Sequence, residues 1–301
     1  MNILIGTDMS DEAAHATRWG FQFARRAAAT GDDVEVYVGH VTGAWYPQVG
    51  TEGLLDDEDS RLKLERQIED WIEQNHDDVP DYELVLDEGR SWEKLRDMVD
   101  AVDADWLVTG MSGQGAVARM VVGSTTHKLA HDPPCPMSIV HEKGFDWDGD
   151  LKFIAGVDYS ETSKRSLDLA ISMAAQFGAR LHIMHVVYPP GPVALPDGFV
   201  GYSGGEYQQL EAVRHRAEQD MQRLLEEYEG RLADITWTSD VLTGYPTREL
   251  VAFAEEDDYD GLFLGTVGRS GLDDFILGSV ASGVVKNMAC SVFLTPPVRP
   301  E

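Results

Sequence analysis

Cysteine is scarce in this sequence, with only Cys135 and Cys290 among 301 residues. Each begins a short apolar run that is typical of a buried strand, and neither belongs to a CxxC pair or a His/Cys cluster with metal-ligand spacing. A disulfide or a metal site is therefore the less favoured interpretation. Two reduced thiols in core strands are typical of a cytosolic protein.

Long apolar runs are also missing. No segment approaches the roughly 18 uninterrupted apolar residues that a membrane span requires. The beginning, MNILIGTDMS, leads directly into charged sequence without a basic leader. We therefore expect a soluble, cytoplasmic protein with no membrane segment.

Basic residues are few, since 24 Lys and Arg accompany 53 Asp and Glu and give a formal net charge of −29 at pH 7. Nucleic-acid binding is disfavoured, because contacts to phosphate backbones require a basic surface. Apolar residues remain plentiful at 43%, so the charge does not indicate disorder. A modest acidic excess would only be a solvated surface. This charge density instead predicts an acidic, halophilic protein from a very salty cell interior, where ions screen the repulsion.

The acidic surface predicts salt-dependent stability. We expect the Tm to rise as KCl increases from low to molar concentration, because added ions screen the repulsion between surface carboxylates. Scanning calorimetry across a KCl series measures this. A parallel sucrose series is the control, since sucrose favours burial without screening charge. A Tm that stays flat or falls in KCl would contradict the prediction.

The chain repeats itself. The segment ILIGTDMSDEAAHATRWGFQFARRAAA matches FIAGVDYSETSKRSLDLAISMAAQF, and the stretch 107–139 matches 262–294 without a gap, at an offset of 155 positions. Such matches in register indicate a duplication. We therefore predict two domains, residues 1–143 and 150–301, joined by the Gly- and Asp-rich segment 143–151.

Each half shows the same order of patterns: strand, helix, strand, long loop, helix, strand, helix, strand, glycine loop, helix, strand. The second strands, VEVYVGHV and RLHIMHVV, are almost continuously apolar, as buried parallel sheets require. This alternation predicts an α/β fold with one doubly wound parallel sheet in each half. The Pro- and Gly-rich stretches 43–60 and 188–206 are predicted to be loops.

Two glycine motifs carry the strongest functional signal. Residues 110–125 and 265–280 both read G-x2-G-x9-G-S, and each follows an apolar strand. At the carboxyl edge of a parallel sheet, glycines let the backbone approach a phosphate, and the helix that follows offers free N–H groups and a favourable dipole. A lone glycine pair would more often only make a turn or permit tight packing. Two copies in the same context favour phosphate binding.

The candidate site residues lie at the ends of the predicted strands and in these motifs. Asp8 and Asp158 could accept hydrogen bonds from a ribose or an adenine amino group, or could simply begin the turn or assist a helix cap. Val41 and Val186 could offer backbone groups to a base, or could be core residues. The candidate phosphate-binding residues are Gly110, Gly113, Gly123 and Ser124 in the first half and Gly265, Gly268, Gly278 and Ser279 in the second.

Taken together, these features resemble the universal stress protein family in its tandem form. The resemblance covers nearly the whole chain twice, through Gly-x-Asp-x-Ser after the first strand, His-Val after the second and the complete glycine motif. It implies an adenine nucleotide alpha hydrolase-like, Rossmann-like fold of the ATP-binding type. It also implies that Asp8 and Val41 contact the adenosine, that the motif glycines and serine surround the ribose and phosphates, and that the second half repeats these roles.

The resemblance implies ATP as the ligand, accompanied by Mg or Mn on the oxygens of the triphosphate. Family members usually dimerise through their last strands, so the tandem chain resembles a covalent dimer, and a homodimer of whole chains stays open. We expect a nucleotide-dependent stress-response or signalling module. Two alternatives remain. One is a slow ATP hydrolase, although no Walker-type GKS or GKT is present, and the other is a structural dimerisation module that binds no nucleotide.

The two motifs differ in the residues around them. Arg269 follows Gly268 and is a further candidate for phosphate binding, whereas the equivalent position in the first half is Gln114. The first half instead has Arg119 where the second has Asp274, so the cations available to a phosphate differ between the two loops. Trp92 stands where the second half has Thr247, and its ring could stack on adenine or obstruct the pocket. The sequence therefore favours the second site over the first.

Overall fold

The computed structural model describes residues 1–43, 57–112, 122–188, 193–194, 200–201, 204–268 and 277–298. Both halves follow the predicted order of strands and helices. The elements of the first half are β1 (Asn2–Thr7), α1 (Asp11–Ala29), β2 (Glu35–Thr42), α2 (Glu58–Asn75), β3 (Glu83–Glu88), α3 (Ser91–Ala101), β4 (Trp106–Gly110), α4 (Ser124–His131) and β5 (Met137–Val140).

The second half repeats this order with one addition. Its elements are β6 (Lys152–Gly156), α5 (Glu161–Phe177), β7 (Arg180–Val187), β8 (Val193–Ala194), β9 (Val200–Gly201), α6 (Gly204–Leu232), β10 (Trp237–Thr243), α7 (Pro246–Glu256), β11 (Gly261–Gly265), α8 (Ser279–Lys286) and β12 (Ser291–Thr295). The addition is the antiparallel pair β8 and β9, which falls inside the predicted loop 188–206. Strands of two residues are too short to show the alternation by which sequence reveals a strand.

The helix boundaries have local causes. The Ser10 hydroxyl accepts a hydrogen bond from the backbone N–H of Ala13 at the start of α1. Ser160 caps α5 in the same way, by accepting from the N–H of Ser163. Helix α5 ends at Gly178, whose φ of 68° lies in the left-handed region that glycine adopts without strain. Within the described ranges, no helix combines the length and the apolarity that crossing a bilayer requires.

The ten main strands form one continuous sheet in the order β10-β7-β6-β11-β12-β5-β4-β1-β2-β3. Neighbouring strands within each half are parallel. Each half therefore has the doubly wound α/β arrangement that the sequence predicted.

The two halves meet at β5 and β12, which pair antiparallel. Ser138 lies opposite Phe293, its own counterpart 155 positions further along the chain. Because all strands of a half run the same way, the carboxyl ends of the two half-sheets lie at opposite edges of the combined sheet.

An aromatic cluster fills the core where the halves meet. The indole of Trp19 in α1 lies 5.7 Å from the ring of Phe293 in β12, measured between ring centroids. Phe145 and Trp147, from the segment that joins the halves, pack on the same indole at 5.5 and 5.7 Å. The joining segment, predicted only as a Gly- and Asp-rich connection, thus contributes two aromatic residues to the shared core.

Both cysteines are free and buried, in agreement with the expectation of reduced core thiols. Burial raises the pKa of the Cys135 thiol and of the Cys290 thiol to about 12. Since the thiolate is the nucleophile, neither side chain is suited to covalent chemistry near neutral pH.

Candidate functional site

A cleft of about 550 Å³ lies at the carboxyl ends of β1, β2 and β4. The predicted residues of the first half that the structure describes all line it. They are Asp8, Val41, Gly110, Gly123 and Ser124. The remaining candidate, Gly113, lies outside the described residues.

The second half has a smaller cleft of about 280 Å³ at the matching edge, where β6, β7 and β11 end. Again the described candidates come together. They are Asp158, Val186, Gly265, Gly268, Gly278 and Ser279. Arg269 lies outside the described residues. The structure thus gathers the predicted residues into two clefts, and their contact with a nucleotide stays a prediction.

The last glycine of each motif is the N-cap of a helix. Gly123 precedes α4 and Gly278 precedes α8, and both have extended backbone angles. Their own amides turn inward, because the Gly123 N–H donates to the carbonyl oxygen of Met111 at 2.8 Å and that of Gly278 to Thr266 at 2.7 Å. The cap glycines therefore do not present their own N–H groups to a ligand.

The amides that follow the cap glycines are the ones open to an anion. In α4 the first intrahelical bond runs from the N–H of His127 to the carbonyl of Gly123, at 2.8 Å. The three amides before it, those of residues 124–126, have no acceptor among the residues that the structure describes. Helix α8 repeats this arrangement at residues 279–281. Each cleft is therefore lined by the amino end of a helix whose first N–H groups remain unused.

Gly110 and Gly265 lie where there is no room for a side chain, because a helix packs against each of them. A Cβ atom on Gly110 would lie 2.9 Å from the carbonyl oxygen of Glu12, in the first turn of α1. A Cβ atom on Gly265 would lie 2.9 Å from the backbone nitrogen of Ser163, in the first turn of α5. For these two positions the tight-packing explanation of the motif applies.

Asp8 and Asp158 have the same hydrogen bonds in the two halves. The Oδ1 atom of Asp8 accepts from the backbone N–H and the hydroxyl of Ser10, at 3.1 and 2.6 Å. Oδ1 of Asp158 accepts from the same groups of Ser160, at 3.0 and 2.5 Å. Each carboxylate therefore supports a helix cap. A Cβ atom on Gly268 would lie 2.7 Å from Oδ2 of Asp158, so a glycine here leaves room for the carboxylate.

The turn between Asp and Ser is held in an uncommon backbone conformation in both halves. Met9 and Tyr159 have φ values of 61° and 65°, in the left-handed region that non-glycine residues seldom adopt. The N–H of Met9 donates to the hydroxyl of Thr7 at 3.1 Å. The same strained turn occurs in both halves and positions the carboxylate of Asp8 or Asp158 relative to its cleft.

The histidine of each His-Val pair ties two strand ends together. Nδ1 of His40 lies 2.9 Å from the carbonyl oxygen of Thr7, and Nδ1 of His185 lies 2.7 Å from that of Val157. Burial lowers the pKa of His40, so the neutral ring donates its Nδ1–H to this carbonyl. Sequence reasoning used these histidines only as a family signature.

Lys128 is a cleft residue that sequence reasoning missed. It lines the first cleft, and its Nζ lies 5.1 Å from the centroid of the Trp92 ring. Trp92 itself is not among the described lining residues, and its ring packs against the core instead of projecting as a base platform or an obstruction. The second half has Thr247 and Gly283 at these positions, with Thr247 Oγ1 only 2.6 Å from where a Cβ of Gly283 would be. A comparison of the two halves at both positions, Trp92 with Thr247 and Lys128 with Gly283, could have identified Lys128 from the sequence.

Among the described residues, no group of three or more His, Cys, Asp or Glu side chains is placed to hold a metal ion. The predicted Mg or Mn therefore has no protein ligand set in this part of the chain, and its binding through the triphosphate stays a prediction.

Comparison with known proteins agrees with the duplicated architecture. The universal stress protein family profile matches residues 1–141 and 151–296. A universal stress protein of Methanocaldococcus jannaschii is 28% identical over 154 residues, which cover 50% of this chain and 84% of that protein. One from Mycolicibacterium smegmatis is 26% identical over 306 residues, which cover 98% of this chain and 97% of that protein. The crystal structure of a universal stress protein from Archaeoglobus fulgidus shares the fold, with a TM-score of 0.65, 17% identity and 98% coverage of both chains. The chain therefore belongs to the universal stress protein family and contains the family's domain twice.

Proposed function

We propose that this tandem universal stress protein binds ATP, with Mg or Mn on the phosphates, in one or both clefts and acts as a nucleotide-dependent stress-response or signalling module. One observation carries the proposal. In each half, the N–H groups at the start of an eight-residue helix have no acceptor among the described residues, and they line a cleft at the carboxyl edge of the parallel sheet. This arrangement favours an anion, because the N–H groups and the helix dipole both act on it.

The clefts also suit the rest of a nucleotide. The volume of the first, about 550 Å³, lies within the range of roughly 300–1,000 Å³ that is usual for small-molecule sites, and the second is close to its lower end. Leu95 and Val41 offer an apolar surface to a base in the first cleft. A carboxylate oxygen accepts more than one hydrogen bond, so the capping role of Asp8 is compatible with a contact to ribose.

Two variants test the phosphate contact directly. Proline is well tolerated at the first position of a helix and removes the N–H there. Gly123 and Gly278 have ψ angles of 149° and 150°, as a residue before proline requires. We expect Ser124→Pro and Ser279→Pro each to weaken ATP binding in their own cleft about ten-fold or more, since a hydrogen bond to a charged group is lost.

Titration calorimetry with ATP, ADP and AMP in molar KCl and Mg measures the affinities, and phosphate release measures turnover. Ser124→Ala and Ser279→Ala are matched controls, because they remove the hydroxyl and keep the amide. Binding without turnover that is weakened by the proline variants supports the proposal. Undetectable binding to the wild type would contradict the proposal and favour a structural dimerisation module. Turnover that the proline variants abolish would favour an ATP hydrolase.

A further inference from the structure

The two clefts occupy equivalent places in the duplicated fold, yet their linings differ in chemistry. Several positions with a hydroxyl side chain in the first cleft hold aliphatic side chains in the second, although Ser124 and Ser279 are alike. Thr109, Ser112 and Thr125 correspond in this way to Leu264, Val267 and Val280. The first cleft is therefore polar at positions where the second is apolar.

Two of these hydroxyls lack partners. Thr109 and Ser112 are 4% and 6% exposed, and neither hydroxyl oxygen has a hydrogen-bond partner among the residues that the structure describes. Leaving such a group buried and unpaired is energetically unfavourable. Both oxygens are closed off from solvent, so a polar ligand in this cleft would pair with them only after a local shift of the side chains.

The first cleft also contains a cation that has no ion pair. Lys128 has no carboxylate within 4.0 Å in the described part of the chain, as is also true of Lys63, Lys152 and Lys286, and its Nζ lies over the ring of Trp92. The neighbouring segment 113–121 reads GQGAVARMV and supplies no Asp or Glu. Lys128 is exposed and lines the first cleft, so its ammonium is free to meet an anion bound there. The second half has Gly283 in its place.

We infer that the two clefts differ in what they recognise: the first selects the polyphosphate of a nucleoside triphosphate through Lys128, and the second binds the nucleoside moiety with little regard to the number of phosphates. This inference rests on the proposed nucleotide binding. The cation–π contact with Trp92 holds the ammonium at the cleft, so less side-chain freedom is lost when phosphate binds. The described lining of the second cleft contains no lysine or arginine, and the cleft is smaller. Arg269, the one cation of its glycine motif, lies outside the described residues.

The experiment weakens one cleft at a time, and a two-site fit then reads the affinity of the other. Ser279→Pro serves as the background for the first cleft, and Ser124→Pro serves for the second. In each background, titration calorimetry at low and at molar KCl compares ATP with AMP. We expect the first cleft to prefer ATP about ten-fold or more and the second to show nearly equal affinities, because a lysine–phosphate contact is a charge-assisted hydrogen bond.

The Lys128→Gly variant introduces the residue of the second half. In the first-cleft background we expect it to lower ATP affinity about ten-fold while changing AMP affinity about two-fold or less, with Lys128→Arg retaining the preference. In the second-cleft background, Lys128→Gly should leave both affinities unchanged. An ATP preference that survives Lys128→Gly would overturn this inference and leave the proposed function intact. A wild-type protein that binds neither nucleotide would overturn the proposed function itself.

Discussion

Replacing Trp19 with alanine is expected to lower the free energy of unfolding by about 3–5 kcal/mol, the range found for buried aromatic truncations. The indole is fully buried and touches rings from three parts of the chain: α1 itself, the joining segment and β12. These neighbours are fixed by the sheet and the helices around them, so they cannot collapse into the space that the indole leaves. The cavity cost therefore adds to the lost burial.

Urea unfolding followed by circular dichroism measures this change. Because Trp19 of the first half packs on Phe293 of the second, we also expect one cooperative transition for the whole chain in the wild type. Trp237→Ala is the matched control, since Trp237 lies on an edge strand and is 37% exposed, and its loss should cost less than about 1 kcal/mol. A Trp19→Ala loss no larger than that of Trp237→Ala would contradict the assignment of a shared core.

Acidification from pH 7 to pH 4 should destabilise the protein through His76, which follows α2. The ring is 8% exposed and lies edge-on to Phe21 and Trp71, with centroid distances of 5.5 and 5.8 Å. Neither ring nitrogen has a hydrogen-bond partner among the described residues. Burial, followed by the positive charge of Arg18, lowers the pKa of His76 from 6.5 to about 4, and Asp77 opposes this only in part.

The sign of this pH dependence is set by the difference in proton uptake between the folded and the unfolded chain. Between pH 6.5 and about 4 the histidine is protonated in the unfolded chain and neutral in the folded chain. The free energy of unfolding is therefore unaffected by His76 above pH 6.5 and declines as the pH falls below it. We expect His76 to contribute about 1–3 kcal/mol to this decline.

The variant His76→Phe separates this contribution from the titration of the many carboxylates, because it keeps an aromatic ring and removes the proton site. Its stability relative to the wild type should improve steadily as the pH is lowered in a series of urea titrations. His215→Phe is the control, since that side chain is 72% exposed and should change the pH profile little. Parallel pH profiles for His76→Phe and the wild type would exclude His76 as the acid-sensitive group.

Much of the fold could be read from the sequence because the duplication supplied each pattern twice. The element order and the doubly wound sheets followed from repeated apolar strands and helix caps, signals that are local in the chain. The packing of Phe145 and Trp147 against the core did not follow, since their partners come from α1 and β12 and no local pattern reports such distant contacts.

For the candidate clefts, the sequence indicated the sheet edge and the residues that gather there. It did not indicate which amides are open among the described residues, where Gly123 and Gly278 turn theirs inward and the residues after them offer N–H groups. Nor did it reveal Lys128, whose position over Trp92 depends on how α4 packs beside α3. The sequence-based preference for the second site rested on Trp92 as an obstruction, and the polar lining of the first cleft argues for the first as the polyphosphate site.

The pairing of β5 with β12 places a pseudo-twofold axis near Ser138 and Phe293. In an assembly of two identical subunits, any substitution beside such an axis must appear on both sides at once. In this chain the two halves are encoded separately. Lys128 of the first half can therefore correspond to Gly283 of the second while the pairing of β5 with β12 is unchanged. The clefts also open at opposite edges of the sheet. A molecule docked over one cleft would therefore leave the other uncovered.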